Sequence, residues 1–495
     1  MLFNSYIFIL LFLPIAVMGY YLINQSTWKK RESLGLLWLS LVSFCFFAYA
    51  GIQFLPVFTG SILVNYFFGC MLRKKKWEKQ KKWILASGIT VQLLLLFYYK
   101  YTGFFLNILN INDGFYIMAP LGISFFTFSQ LSWLVDSYRD SEGEKQNFLE
   151  YCTYVTFFPK LTMGPIALQK DVIPQLQEPE RKGVNYENLS KGLYLFSLGL
   201  AKKVLIADTL AKIVAIGYTD VEKLNSMSAL VVMVSYTLQL YFDFSGYCDM
   251  AMGVGLFFNI NLPINFNSPY KSKSISEFWQ RWHMTLTQFF TTYLYIPLGG
   301  SRKGRLRTYS NTFFVFLVSG LWHGANWTFL CWGALHGVLM VLEKISKDLG
   351  ISFKKLPSPM VKVKEVLQWV LTFSMINIAW VFFRAESMDQ AGVFFQRLFS
   401  GGWQLSEKIT EYVLDIIELR VLLRLGIRGV VEAHIGVFIP LLLASLVLVC
   451  LFAKNTNEKA KSFNYSLGKG ILTLVLLTWS IVSLSNITEF LYFEF

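Results

Sequence analysis

Charge is scarce in this 495-residue chain: only 15% of it is Asp, Glu, Lys or Arg, where a soluble protein carries about a quarter. That shortage excludes an ordinary soluble globular protein. Histidine is scarcer, with four in all, and the six cysteines are scattered without a CxxC pair. Neither a zinc site nor a disulfide framework is indicated, and Cys45, Cys70, Cys152, Cys248, Cys331 and Cys450 read as small core residues. Also missing are GxSxG, GxxxxGK[ST], HExxH and a GxGxxG following a strand, so serine-hydrolase, P-loop and zinc-protease readings have no support. No repeat of 20–50 residues and no inverted halves are visible, which argues against a transporter or exporter.

Apolar residues are plentiful: 54% of the chain is hydrophobic and 17% aromatic. Stretches of roughly 20 residues, long enough to cross a bilayer, recur along it. They cover approximately 5–23, 34–54, 55–72, 83–106, 115–135, 193–218, 229–258, 312–330, 331–342, 366–383, 435–452 and 471–491. The expectation is an all-α polytopic membrane protein, with about eleven or twelve transmembrane helices and re-entrant or interfacial segments around a central catalytic cavity. It forms a single membrane domain: a helical N-terminal part over 1–145, a catalytic core over about 150–385, and C-terminal helices over 386–495. The N-terminus, apolar almost from Met1 and without a basic n-region, reads as a retained helix.

The net charge of +14 does not point to nucleic acid, because no basic module stands apart from the apolar runs. Instead the Lys and Arg gather in short loops: "KKRE" (29–32), "RKKKWEKQKK" (73–82), "RDSEGEK" (139–145), "KKLPSPMVKVKE" (354–365) and "KNTNEKAK" (454–461). Such loops face the cytoplasm, and threading the spans between them leaves the N-terminus outside. Arg420, Arg424 and Arg428, at helical spacing, depart from this rule by falling outside; an interfacial amphipathic helix accounts for them, with partner docking as the alternative. Two intervals are too polar to span simply: "YVTFFPKLTMGPIALQKDV" (154–172), broken by Pro159, Gly164 and Pro165, and "FWQRWHMTLTQFFTTYLYIPLGGSRKGRLR" (278–307). Irregular backbone at membrane depth is tolerated only beside protein or a water-filled cavity. Both intervals therefore point to a cavity open to the cytoplasm.

Three of the four histidines fall within about fifty residues, and the fourth, His434, sits at a loop–helix junction. His323, in "SGLWHGANW", reads as lying near the middle of its span, twelve residues and about 18 Å along the axis from Asn311. An ionisable side chain at that depth is a functional candidate by default. Trp322 adjoins it, and helical spacing would put Asn326 and Trp327 on its face. His336 either faces the same cavity or packs. His283 stands in "EFWQRWHMTL", where an interfacial histidine competes with a catalytic one. Asp243, with Gln239 one turn earlier, is an intramembrane acid best read as half of a structural pair with Lys or His. Lys202 and Lys203 beside Asp208 read as a similar internal group. Lys271, Lys273, Arg281, Arg302, Lys303, Arg305 and Arg307 make a basic cytoplasmic mouth suited to a phosphate-bearing donor. The chemistry left open by these residues is acid–base catalysis by histidine in a membrane cavity.

Several stretches resemble the membrane-bound O-acyltransferase family, and within it the alginate O-acetylation branch. They are "PLGISFFTFSQLSWLVDSYR" (120–139), "FFPKLTMGPI" (157–166), "GLAKKVLIAD" (199–208), "YFDFSGYCDMAMGVGLFFNINLPINFNSPY" (241–270), "SISEFWQRWHMTLTQFFTTYLYIPLGG" (274–300), "SGLWHGANWTFLCWGALHG" (319–337) and "WVFFRA" (380–385). The resemblance covers most of the chain in order. It implies acyl transfer to a hydroxyl, with the family's WHG histidine at His323 and its second pocket position at His283. It implies no bound cofactor and no metal: the donor, acetyl-CoA or another acyl thioester, is a substrate reaching the cytoplasmic face. The acceptor would be a polysaccharide, or a secreted SGNH-type acetyltransferase that completes the transfer outside. His323 would act as general base, with His283, Asn326 or backbone N–H groups stabilising the oxyanion. The rival acyl transfers are D-alanylation of teichoic acid and acylation of lipid or protein; a polysaccharide exporter is the rival outside the enzymes. The expected location is the cell membrane, in contact with lipid.

Overall fold

The helix Ser226–Phe257 organises the molecule. It is 32 residues long, about 48 Å, and 78% of its most apolar window is buried by other helices. The computed structural model describes residues 1–111, 117–140, 147–350, 358–416, 428–484 and 490–491, and among these every regular element is helical. Against the central helix lies a run from Tyr186 to Thr219 that passes through a π-helical stretch at Lys202–Ala207. Their contact is made by glycines: a Cβ on Gly199 would lie 2.5 Å from the Gly246 carbonyl oxygen, so no larger residue fits there. Gly192 and Gly253 repeat the contact seven residues away on each helix. Small residues let backbones approach closely, which is how helices associate where lipid supplies no hydrophobic drive.

Among the described residues six helices are long and apolar enough to cross a membrane, and two shorter apolar ones, Phe8–Asn24 and Leu467–Val482, accompany them. This is fewer than the eleven or twelve spans expected, for identifiable reasons. Residues 31–72 form one continuous stretch that a 3-10 turn at Ile52–Phe54 divides. Residues 115–135 do not form one span, because the helix begins only at Ile123 and residues 112–116 lie outside the described ones. The boundary expected at 330/331 is also misplaced: the helices are Arg305–His323 and Trp327–Asp348, joined by a three-residue turn. Gly324 is extended, and the Asn326 side chain caps the second helix by accepting from the Thr328 N–H at 3.2 Å. An asparagine after a glycine is a strong helix-restart signal, and here it outweighs the apolar run.

Both polar intervals are irregular, the first mostly buried and the second buried only in its first half, before residue 291. Residues 148–172 make a short helix, Phe148–Thr156, one further turn at Phe158–Leu161, and a non-helical stretch before the helix Gln169–Gln177. Residues 275–295 make two seven-residue helices, Ile275–Arg281 and Met284–Phe290, followed by a π turn at Thr291–Tyr295. The N-terminal helices meet the centre where the Tyr21 hydroxyl donates to the Phe257 carbonyl at 2.8 Å and Phe3 stacks on Tyr247 at 4.8 Å. From the C-terminal side, Thr456 donates to Asp249 at 2.7 Å and the Leu491 N–H to Asp243 at 3.0 Å. One hydrophobic core runs through all three parts. In the 386–434 stretch, Met388–Leu398 and Glu407–Leu414 are helices; Arg420 and Arg424 lie outside the described residues.

Candidate active site

His283 occupies the break between the two seven-residue helices, with φ 44° and ψ 50° in the left-handed region. A side chain other than glycine there costs roughly 1–3 kcal/mol and persists only where the surroundings over-determine it. Asn265 is what over-determines it. Its carbonyl oxygen accepts from the Met284 N–H at 2.9 Å. Its side-chain oxygen accepts from the Thr285 hydroxyl at 2.8 Å and the Thr285 N–H at 3.3 Å, and lies 3.1 Å from His283 Nδ1. Because the Thr285 N–H can only donate, that Asn265 atom is the oxygen, and His283 Nδ1 carries a proton towards it. Nε2 is then the basic nitrogen of the neutral ring. Of the two readings the sequence leaves for His283, interfacial or catalytic, its burial disfavours the first: it is completely buried, packed against the 226–257 helix, where Phe244 meets its ring edge-on at 4.8 Å.

His323 is the last residue of its helix rather than a mid-helix residue, since Gly324 ends the helix immediately after it. The final carbonyls of a helix have no partner within it, and its C-terminal end carries a partial negative charge. Lys100, at the end of the Lys81–Lys100 helix, supplies both the donor and the charge: its ammonium donates to the Trp322 oxygen at 2.6 Å and the His323 oxygen at 3.1 Å. The Tyr101 hydroxyl donates to the Leu321 oxygen at 3.1 Å. The site thus borrows its support from the N-terminal helices.

The His323 and His283 ring centroids are 6.5 Å apart. Around them stand Trp322, which stacks on Phe128 at 5.1 Å, and Trp332 and Phe383, each 5.1 Å from the His323 ring. His336 joins on the far side of Trp332, ring centroids 5.0 Å apart, and its Nδ1 accepts from the Trp279 indole N–H at 3.3 Å. His336 therefore carries its own proton on Nε2. That N–H and the indole N–H groups of Trp322 and Trp332 are buried donors without a hydrogen-bond partner among the described residues. A cleft of about 360 Å³ lies beside the cluster: Trp279, which donates to His336, is in its wall, and none of the three histidines is. Its outer part is lined by Glu343, Lys344 and Lys347, and its inner part by Trp279, Phe316 and Ser319, the last one turn before His323.

The remaining residues singled out from sequence lie elsewhere. Asn326 and Trp327 do not share a face with His323, because the turn reverses the chain: the Asn326 amide donates to the Glu386 carbonyl at 2.8 Å, and Trp327 is 57% exposed. Asp243 is paired with Lys203 at 2.7 Å, and Gln239 lies buried one turn before it. Arg281 is held by Glu277 at 3.0 Å. Arg302 and Lys303 are exposed on the turn before the Arg305–His323 helix, and Arg305 lies 3.9 Å from Asp348. Lys344 and Lys347 border the cleft instead. Sequence reasoning gave no role to Asn265, Lys100, Tyr101, Trp279 or Trp332. Lys100 alone had a signal, a cation closing the apolar run "LLLLFYYK".

A helical membrane bundle with paired histidines in an aromatic chamber is the setting of an intramembrane group-transfer enzyme. The membrane-bound O-acyltransferase family pattern matches residues 8–383, and the chain belongs to that family. It is a multi-pass membrane protein and an O-acyltransferase. It is 40% identical over 420 residues to a peptidoglycan O-acetyltransferase of Helicobacter pylori, covering 79% of this chain and 78% of that one. It is 37% identical over 419 residues to a probable alginate O-acetylase AlgI of Pseudomonas aeruginosa, covering 82% and 76%. A teichoic acid D-alanyltransferase of Bacillus subtilis is 28% identical over 278 residues, covering 54% and 70%.

Proposed function

We propose that the chain is an O-acetyltransferase of the cytoplasmic membrane, moving an acetyl group from a cytoplasmic thioester such as acetyl-CoA to a hydroxyl at the outer face. The acceptor is a cell-surface polysaccharide, or a secreted SGNH-type acetyltransferase that passes the group on. The observation that carries this reading is the His283–His323 pair, 6.5 Å apart between ring centroids, with a cleft of about 360 Å³ beside it. Lys344 and Lys347 stand in the wall of that cleft, a few residues before the basic 354–365 stretch of the sequence that the charge rule assigns to the cytoplasm. Similarity to acetyl-transferring relatives covers more of the chain, at higher identity, than similarity to the D-alanyl-transferring one.

In this mechanism His323 is the general base. The acceptor hydroxyl gives it a proton as the oxygen attacks the thioester carbonyl carbon. The C–S bond then breaks, and the same proton passes to the departing thiolate, leaving an acetyl ester and a free thiol. The Trp322 and Trp332 indole N–H groups, with rings 4.8 and 5.1 Å from His323, are the donors available to the oxyanion. His283, held by Asn265, presents Nε2 to the acceptor and orients it.

The test is His323→Gln in the purified protein reconstituted with acetyl-CoA and a polymer acceptor, reading ester formed per folded molecule. A carboxamide keeps the hydrogen bonding but cannot take and return a proton, so activity should fall to background. Substantial turnover by this variant would rule out the general-base role.

A further inference from the structure

A second cavity, of about 980 Å³, lies away from the histidines on the flank of the bundle. Its walls come from three apolar helices: Ser226–Phe257, Ser358–Arg384 and Ile435–Phe452. The last of these is the most apolar span, yet only 11% of its window is buried. It therefore stands off the bundle and leaves a groove behind it. We propose that this groove is a binding site for one anionic phospholipid of the cytoplasmic leaflet.

Three observations select that occupant. First, two of the groove's three walls are about one leaflet deep. The groove runs from Phe452 to Pro440 on one wall and from Lys362 to Phe373 on another, twelve and eleven residues, or about 18 and 16 Å. Half of a bilayer core is about 15 Å, whereas a partner helix crossing the membrane needs about 30 Å. Second, charge is confined to one end. Lys271, Lys273 and Lys362 lie there with a single acid, Glu365, 3.0 Å from Lys273, while the rest of the lining is almost entirely apolar. Two positive charges in excess suit a phosphodiester headgroup without a compensating cation. Third, Lys362 and Glu365 at the charged end belong to the 354–365 stretch of the sequence, and Lys271 reaches the Ala453 carbonyl just before the 454–461 loop; the charge rule places both stretches in the cytoplasm, where anionic lipid attracts basic residues. Trp369 forms a firm part of the wall, its indole N–H donating to the Tyr270 carbonyl at 2.8 Å.

Brominated lipids in nanodiscs test this by quenching Trp369, with Trp369→Phe used to isolate that signal among the fourteen tryptophans. Brominated phosphatidylglycerol, diluted into phosphatidylcholine, should quench the Trp369 component more strongly than brominated phosphatidylcholine at the same fraction. Lys271→Ala with Lys362→Ala should remove most of that preference, about fivefold in relative affinity for each lysine. Lys362 is exposed, and Lys271 is partly exposed and donates to the Ala453 carbonyl at 3.4 Å, so the unfolding temperature of the variant checks that it folds. Equal quenching by the two lipids overturns the proposal. So does a preference that survives in the double variant, or protection of Trp369 from both lipids by a second protein chain.

Discussion

The bundle buries two sets of ionisable side chains and treats them in opposite ways. Along the central helix each cation has its acid: Lys203 lies 2.7 Å from Asp243 and 2.9 Å from Asp208, and Lys202 lies 2.6 Å from Asp249. Around His323 three imidazoles are set among tryptophan and phenylalanine rings. In these pairs a counter-charge repays the desolvation of the buried lysinium. A neutral imidazole needs none, and it can still accept and return a proton. The paired set therefore fastens helices to one another, and the neutral histidine set can move a proton. The same sequence signal, a polar residue in an apolar run, has two meanings that only the partner distinguishes.

That contrast can be broken by substitution. His323→Gln stands first, with loss of all measurable transfer and an unchanged unfolding transition. Lys203→Met should do the reverse. It leaves Asp243 and Asp208 buried without their cation, at a cost of about 3–5 kcal/mol, while the molecules that remain folded keep near-normal turnover. Adding Asp243→Asn should recover part of the loss, and denaturant unfolding in detergent measures both. A Lys203→Met protein as stable as wild type would show that the triad is not a fastening.

Asn265→Ala comes next. It releases the left-handed turn at His283, and a misplacement of about 1 Å in a catalytic group costs roughly 10²-fold. The loss should fall on kcat with KM nearly unchanged; a loss confined to KM would make Asn265 a substrate contact instead. Lys100→Met should lower kcat by about tenfold, as removal of roughly 1.4 kcal/mol of helix-end interaction implies, and Lys100→Arg should restore most of it. The smallest effect is expected for Arg302→Ala with Arg305→Ala. Both residues are exposed and outside the cleft lining, so KM for acetyl-CoA should change by less than about twofold, in keeping with surface charges. A larger rise would return these arginines to donor binding.

His323 is legible in the sequence because an imidazole inside a long apolar run is costly enough to need a reason. Its place in the helix is not, since hydropathy carries straight through Gly324 and Asn326 where the backbone stops. His283 stays ambiguous in the sequence because its neighbours are tryptophan and arginine, the residues of a membrane boundary; the inward fold of two seven-residue helices buries it. Asp243 reads from sequence as a structural acid in need of a Lys or His. Its partner is Lys203, which sequence spacing alone associates with Asp208.

Apolar spans, basic loops and the oddity of His323 follow from local composition, because a bilayer responds to hydropathy and charge one segment at a time. The family motifs are local in the same sense. Which polar groups meet is not. His283 reaches His323 across 40 residues, Trp279 reaches His336 across 57, and Lys100 reaches the His323 carbonyl across 223. Those contacts depend on how helices cross, and crossing is decided by the close approach of glycines, by buried ion pairs and by a three-residue turn, none of which hydropathy records.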